Sequence, residues 1–123
     1  MKYTGKELTA LLKMGVAMAA ADGKLAEEER VVLVGDLLTF GVTTEDAQLL
    51  LKNSQDMTPA EAIIVLSNMN NEQKKYATAY LAVIMASDGE IADSEITLWK
   101  MVSTLCNFPT MTVFEALDFW ANN

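Results

Sequence analysis

"AAADGKLAEEER", residues 19–30, stops an apolar run with Asp-Gly and then loads the chain with acid. Its reading decides the fold. Gly accepts the left-handed conformation that follows a helix, and acids favour the first turn of the next helix. Read this way, Asp22-Gly23 is the turn of a helical hairpin. "MASDGEIADSEI", residues 85–96, repeats the pattern. A shift of 66 aligns Asp22 with Asp88, Gly23 with Gly89, Leu25 with Ile91, Ala26 with Ala92, Glu27 with Asp93 and Glu29 with Glu95. Each copy follows an Ala/Met-rich apolar segment and precedes another apolar one. The repeat predicts two similar helix-loop-helix units in a pseudo-twofold arrangement around one core, too few for a solenoid. The plainer reading is that short helical hairpins converge on Asp-Gly because turn chemistry favours it.

Working outward, Leu8, Leu11, Leu12, Val16 and Ala19 recur at helical spacing and predict a first helix ending near Ala21. A second is expected from about Glu27 to Phe40, stopping at Gly41, although its β-branched "RVVLVG" centre also reads as a strand. Thr43 or Thr44 caps a third through about Lys52. "TPAE" at 58–61 starts a fourth, with Thr58 as N-cap, Pro59 in the first turn and Glu61 at the capping-box position. "NNEQ" at 70–73 opens the most apolar helix, which reaches Ser87 and is expected to be buried on most sides. Ile96, Trp99, Val102 and Cys106 mark a sixth, and "TVFE" at 112–115 caps a seventh. The expected fold is all-α: a compact bundle of six to seven helices, one domain over residues 1–123.

Half of the 123 residues are apolar, enough for a packed core. Histidine is absent, which removes histidine general bases, Ser-His and Cys-His triads and most zinc sites. Cys106 is the single cysteine and forms no internal disulfide, which fits a reducing compartment. Seventeen acids face nine bases, giving a net charge of −8, so nucleic acid and anionic lipid surfaces are repelled. The apolar, charge-free run 76–87 is far short of the ~20 residues of a membrane span, and the N-terminus lacks a signal-peptide pattern. The expectation is a cytoplasmic protein without membrane insertion. Met14, Met18, Met85 and Met101 fall at core spacing, Trp99 and Trp120 read as core anchors, and Cys106 reads as a small buried hydrophobe.

Asp22, Glu27, Glu28, Glu29, Asp88, Glu90, Asp93 and Glu95 crowd the two repeats, offset only by Lys24. First-turn acids gain ~0.3–1 kcal/mol each from the helix dipole, which accounts for several of them. Asp22 and Asp88 sit instead where a helix ends, against the dipole. Glu29 and Glu95 lack a capping-box partner, because the position three residues before each is alanine. The functional reading is a hard-cation site of oxygen ligands for Ca²⁺, Mg²⁺ or Mn²⁺. Its metal ligands are Asp22, Glu29, Asp88 and Glu95, with Glu90 and Asp93 as secondary candidates and Gly23 and Gly89 as the turn residues. The glycine positions exclude an EF-hand. A paired-carboxylate hydrolase is the sharper alternative, but no polar or aromatic cleft is legible to support it.

The motifs "AAADGKLAEEE" and "MASDGEIADSE" resemble the hallmark of the TerB-like, tellurite-resistance domain family: an Ala-rich helix, Asp-Gly, then acids ending in a Glu seven residues after the Asp. The motif is short, and the all-helical reading that accompanies it covers essentially the whole chain. It implies a compact helical, non-enzymatic domain whose paired acidic motifs form a metal-binding patch, linked to tellurite and general stress resistance and to protein complexes. It reaches Asp22, Gly23, Glu29, Asp88, Gly89 and Glu95. Lys24 departs from the acid often found after the glycine, whereas Glu90 keeps it, which implies a weaker first half-site. The alternative is a metal-free interaction scaffold whose acids only cap helices.

Overall fold

The structure is a computed structural model that describes residues 3–20, 27–87 and 91–123, with the side chains of 27–29 left aside. Among these residues there are seven α-helices and no strand: α1 Gly5–Ala19, α2 Glu27–Leu37, α3 Thr44–Ser54, α4 Pro59–Ser67, α5 Asn71–Met85, α6 Asp93–Leu105 and α7 Val113–Asn122. The expected all-α bundle is therefore present. The β-branched "RVVLVG" segment is helical, because burial of Leu33 and Leu37 on one face outweighs local β-preference. That helix stops earlier than its periodicity suggests. Leu38–Phe40 tighten into a 3₁₀ turn, and Gly41 closes it at φ 88°, a left-handed conformation that suits glycine.

Helix starts follow the sequence closely. Thr4, Thr58, Asn70 and Thr112 each accept a hydrogen bond from the backbone N–H three residues on. Glu7, Glu61, Gln73 and Glu115 each accept one in return from the cap N–H, completing four capping boxes. Thr58→Ala is expected to cost about 0.5–2 kcal/mol in urea unfolding, because α4 loses both the side-chain acceptor and its partner Glu61. A cost indistinguishable from zero would show that packing alone sets this helix start.

The core is centred on α1, which packs against α2, α3, α4, α5 and α6. Leu8, Leu11, Leu12, Met14 and Met18 are its buried stripe, each worth ~1.5–3 kcal/mol of burial. Gly15 allows the closest approach. A Cβ there would lie 2.7 Å from Leu33 Cδ2 and 3.5 Å from the Tyr80 ring. Phe40 meets Tyr3, Tyr80 and Trp120 edge-on at centroid distances of 4.8, 5.7 and 5.7 Å. This cluster ties the N-terminus, the 3₁₀ turn, α5 and α7 together.

Trp99 and Cys106 are buried as expected, and Trp120 is half-buried. Met101 is not a core residue: it is 52% exposed, because it follows Lys100 on the outer face of α6 while Trp99 and Val102 face inward. No helix of the described residues is long and apolar enough to cross a membrane.

Burial pushes the Cys106 thiol up from its ordinary 9.0 to about 11, against the pull of the nearby Lys74 ammonium. Burial also raises Tyr3, with Glu7 adding to the effect, and raises Tyr80, with Asp36 adding. All three groups hold their protons more tightly folded than unfolded. Their contribution is complete below the unfolded values and is lost as pH rises through the folded ones. The urea midpoint should therefore fall between about pH 8 and pH 10.5, with a smaller fall in Cys106→Ala. A midpoint that rises over that range would contradict the burial of these groups.

Candidate functional site

The site expected from the sequence lies where α1 runs towards α2 and α5 towards α6. The helices flank both motifs with a common offset. Moving α1 by 66 residues gives the bounds of α5, and the same shift carries the start of α2 at Glu27 onto the start of α6 at Asp93. It also carries the Thr4–Glu7 capping box onto Asn70–Gln73. The repeat is thus longer in structure than in residue identity.

The paired helices touch in register. Gln73 Nε2 donates to Glu7 Oε1 at 3.3 Å, a pair separated by 66 residues. The Tyr3 hydroxyl donates to the Gln73 carbonyl at 2.6 Å. Further along, Gly15 of α1 lies beside Tyr80 of α5. Contacts that advance together along both helices mean that α1 and α5 run parallel. Ala19 and Met85, their last residues, therefore leave the core at the same end.

Of the expected ligands, Asp22 and Asp88, the turn glycines Gly23 and Gly89, and Glu90 lie outside the described residues, as does the side chain of Glu29. Glu95 is half-buried, and its Oε1 accepts from the Ala92 N–H at 3.1 Å. It serves as half of a capping box that needs no side chain at Ala92, which corrects the expectation that alanine at that position leaves Glu95 without a capping role. One carboxylate oxygen remains beyond that bond. Asp93 is exposed and opens α6. Among the described residues, no group of three or more His, Cys, Asp or Glu side chains stands close enough to hold a metal.

Two buried charges escaped the sequence reading. Lys74 is only 6% exposed, although its side chain begins in the first turn of a helix. Asp36 is half-buried on α2, and burial raises its carboxyl above the ordinary value. The signal for Lys74 was present: it precedes Ala77, Thr78 and Leu81 at helical spacing on the buried face of α5.

The fold superposes on the crystal structure of a protein of unknown function from Porphyromonas gingivalis with a TM-score of 0.89. The two sequences are 44% identical, and the match covers 99% of this chain and 92% of that one. The two chains belong to one family. No protein-family model matches the chain, and no curated protein matches it. The shared architecture of the P. gingivalis relative extends across all seven helices described above.

Proposed function

We propose that this protein is a TerB-like, non-enzymatic module that holds a divalent cation between its two Asp-Gly motifs and works within a protein complex of the stress response, in the cytoplasm. The observation that supports this reading is the parallel, in-register packing of α1 and α5. Helices ending together bring the chain into its two acidic motifs from one end of the bundle. Carboxylates gathered there would repel one another, and a cation relieves that repulsion. Asp22, Glu29, Asp88 and Glu95 are the proposed ligands, with Glu90 and Asp93 in support. Oxygen donors without histidine favour Ca²⁺, Mg²⁺ or Mn²⁺. Tellurite reduction is not part of the proposal, since the single thiol is buried and held as neutral thiol at physiological pH.

The second reading is a metal-free scaffold whose acids serve helix ends. One observation favours it: the Glu95 carboxylate caps the Ala92 N–H. Calorimetric titration of metal-stripped protein separates the two. The proposal expects saturable binding of at least one cation, abolished in Asp22→Asn/Asp88→Asn. Absence of binding to wild type at roughly millimolar cation, the weak end for carboxylate sites, would leave the acids as helix-end electrostatics.

A further inference from the structure

A second site is built on the opposite sign of charge. Between α2 and α3 lies a groove of about 660 Å³, within the ~300–1,000 Å³ typical of small-ligand sites. Val31, Val34, Leu38 and Leu51 give it an aliphatic lining, with Val31 62% and Leu38 38% exposed. Arg30 and Lys52 line it as well, and a small adjoining cleft adds Lys13 while sharing Arg30 and Leu51. Three of the nine bases in a chain of net charge −8 therefore meet here, and among the described residues no acid lines either space. None of the three cations has an ion-pair partner among the described residues.

Gly35 is the independent observation. It stands inside α2, where glycine costs about 0.5–1 kcal/mol relative to alanine. Packing does not require it: a Cβ there would meet nothing within 4 Å, and its φ is not positive. What the missing side chain does is leave bare backbone on the groove wall, the arrangement that lets a ligand approach closely.

We infer that the α2–α3 groove binds a small amphiphile with an anionic head and an aliphatic body, the chemical class of a medium-chain fatty acid. The aliphatic residues take the chain, and Arg30 and Lys52 take the head, Arg30 offering a planar fork suited to carboxylate. The net negative charge of the molecule repels anions generally, so this cationic pocket supplies both affinity and selectivity. The inference is independent of the cation reading.

The test is an amide NMR titration of the full chain with decanoate below its micelle concentration, alongside 1-decanol and an acidic amphipathic peptide. The expected result is saturable shifts confined to α2 and α3. Arg30→Gln and Lys52→Gln should each weaken decanoate binding roughly fivefold, and decanol should bind more weakly than decanoate. Gly35→Leu, which fills open space and improves helix propensity, should abolish binding while the circular dichroism spectrum is retained. Shifts that never saturate or lie elsewhere would overturn the inference. So would undiminished binding in Gly35→Leu or in the charge variants, or saturation by the peptide without saturation by decanoate.

Discussion

Replacing Tyr80 with alanine is expected to lower the free energy of unfolding by about 3–5 kcal/mol, the range for a large buried aromatic. Tyr80 is fully buried in the middle of α5. Its ring fills the space beside Gly15 of α1 and meets Phe40 at 5.7 Å and Trp120 at 6.0 Å. Its hydroxyl donates to the Leu33 carbonyl of α2 at 2.8 Å. One side chain thus joins four segments to α5, and alanine would leave a cavity among all of them. Tyr80→Phe separates the two contributions. It keeps the ring and leaves the Leu33 carbonyl without its partner, at about 1–3 kcal/mol. Urea denaturation followed by far-ultraviolet circular dichroism reads both. Equal losses for Phe and Ala would assign the whole effect to the hydrogen bond, and a loss below about 1 kcal/mol for Ala would remove Tyr80 from the centre of the core.

Trp99→Ala carries a similar expectation, a loss of about 3–5 kcal/mol. Trp99 is 2% exposed and faces inward from α6, where its indole N–H donates to the Thr78 carbonyl of α5 at 3.3 Å. It ties α6 to α5, and the shift of 66 residues places it at the position of Leu33 in α2. Trp99→Phe should retain most of the packing and cost about 1–2 kcal/mol, the share of the lost hydrogen bond and the smaller ring. Because α6 opens with Asp93 and Glu95, the alanine variant should also weaken any cation binding by loosening that helix. The Phe variant should leave binding unchanged. Loss of binding in Trp99→Phe at full helicity would mean that the indole itself shapes the acidic end.

Much of the architecture was legible locally. The cap residues Thr58, Asn70 and Thr112 announced three helix starts because capping is a short-range exchange of hydrogen bonds, complete within three residues. Trp99, Val102 and Cys106 announced the buried face of α6 by spacing alone. Met101 was misjudged because methionine is at home on either side of a helix, and only the packing of α6 decides which side is inner. The 3₁₀ turn after Leu37 was illegible for a related reason. Phe40 tightens it by reaching Tyr3, Tyr80 and Trp120, residues distant in sequence.

At the candidate site the division is sharper. The sequence by itself determined the helical class, the caps, the doubled Asp-Gly motif and the spacing of 66, since each depends on neighbours along the chain. Only the tertiary structure decided that α1 and α5 lie parallel and in register, through Glu7 against Gln73 and Gly15 against Tyr80. It also decided that Glu95 spends one oxygen on the Ala92 N–H, and that Arg30, Lys52 and a bare Gly35 border one groove with Lys13 in the adjoining cleft. Periodicity records which face of a helix is buried. It carries no record of which helix does the burying, because apolar contact is non-directional and any complementary face will serve until the whole core is assembled.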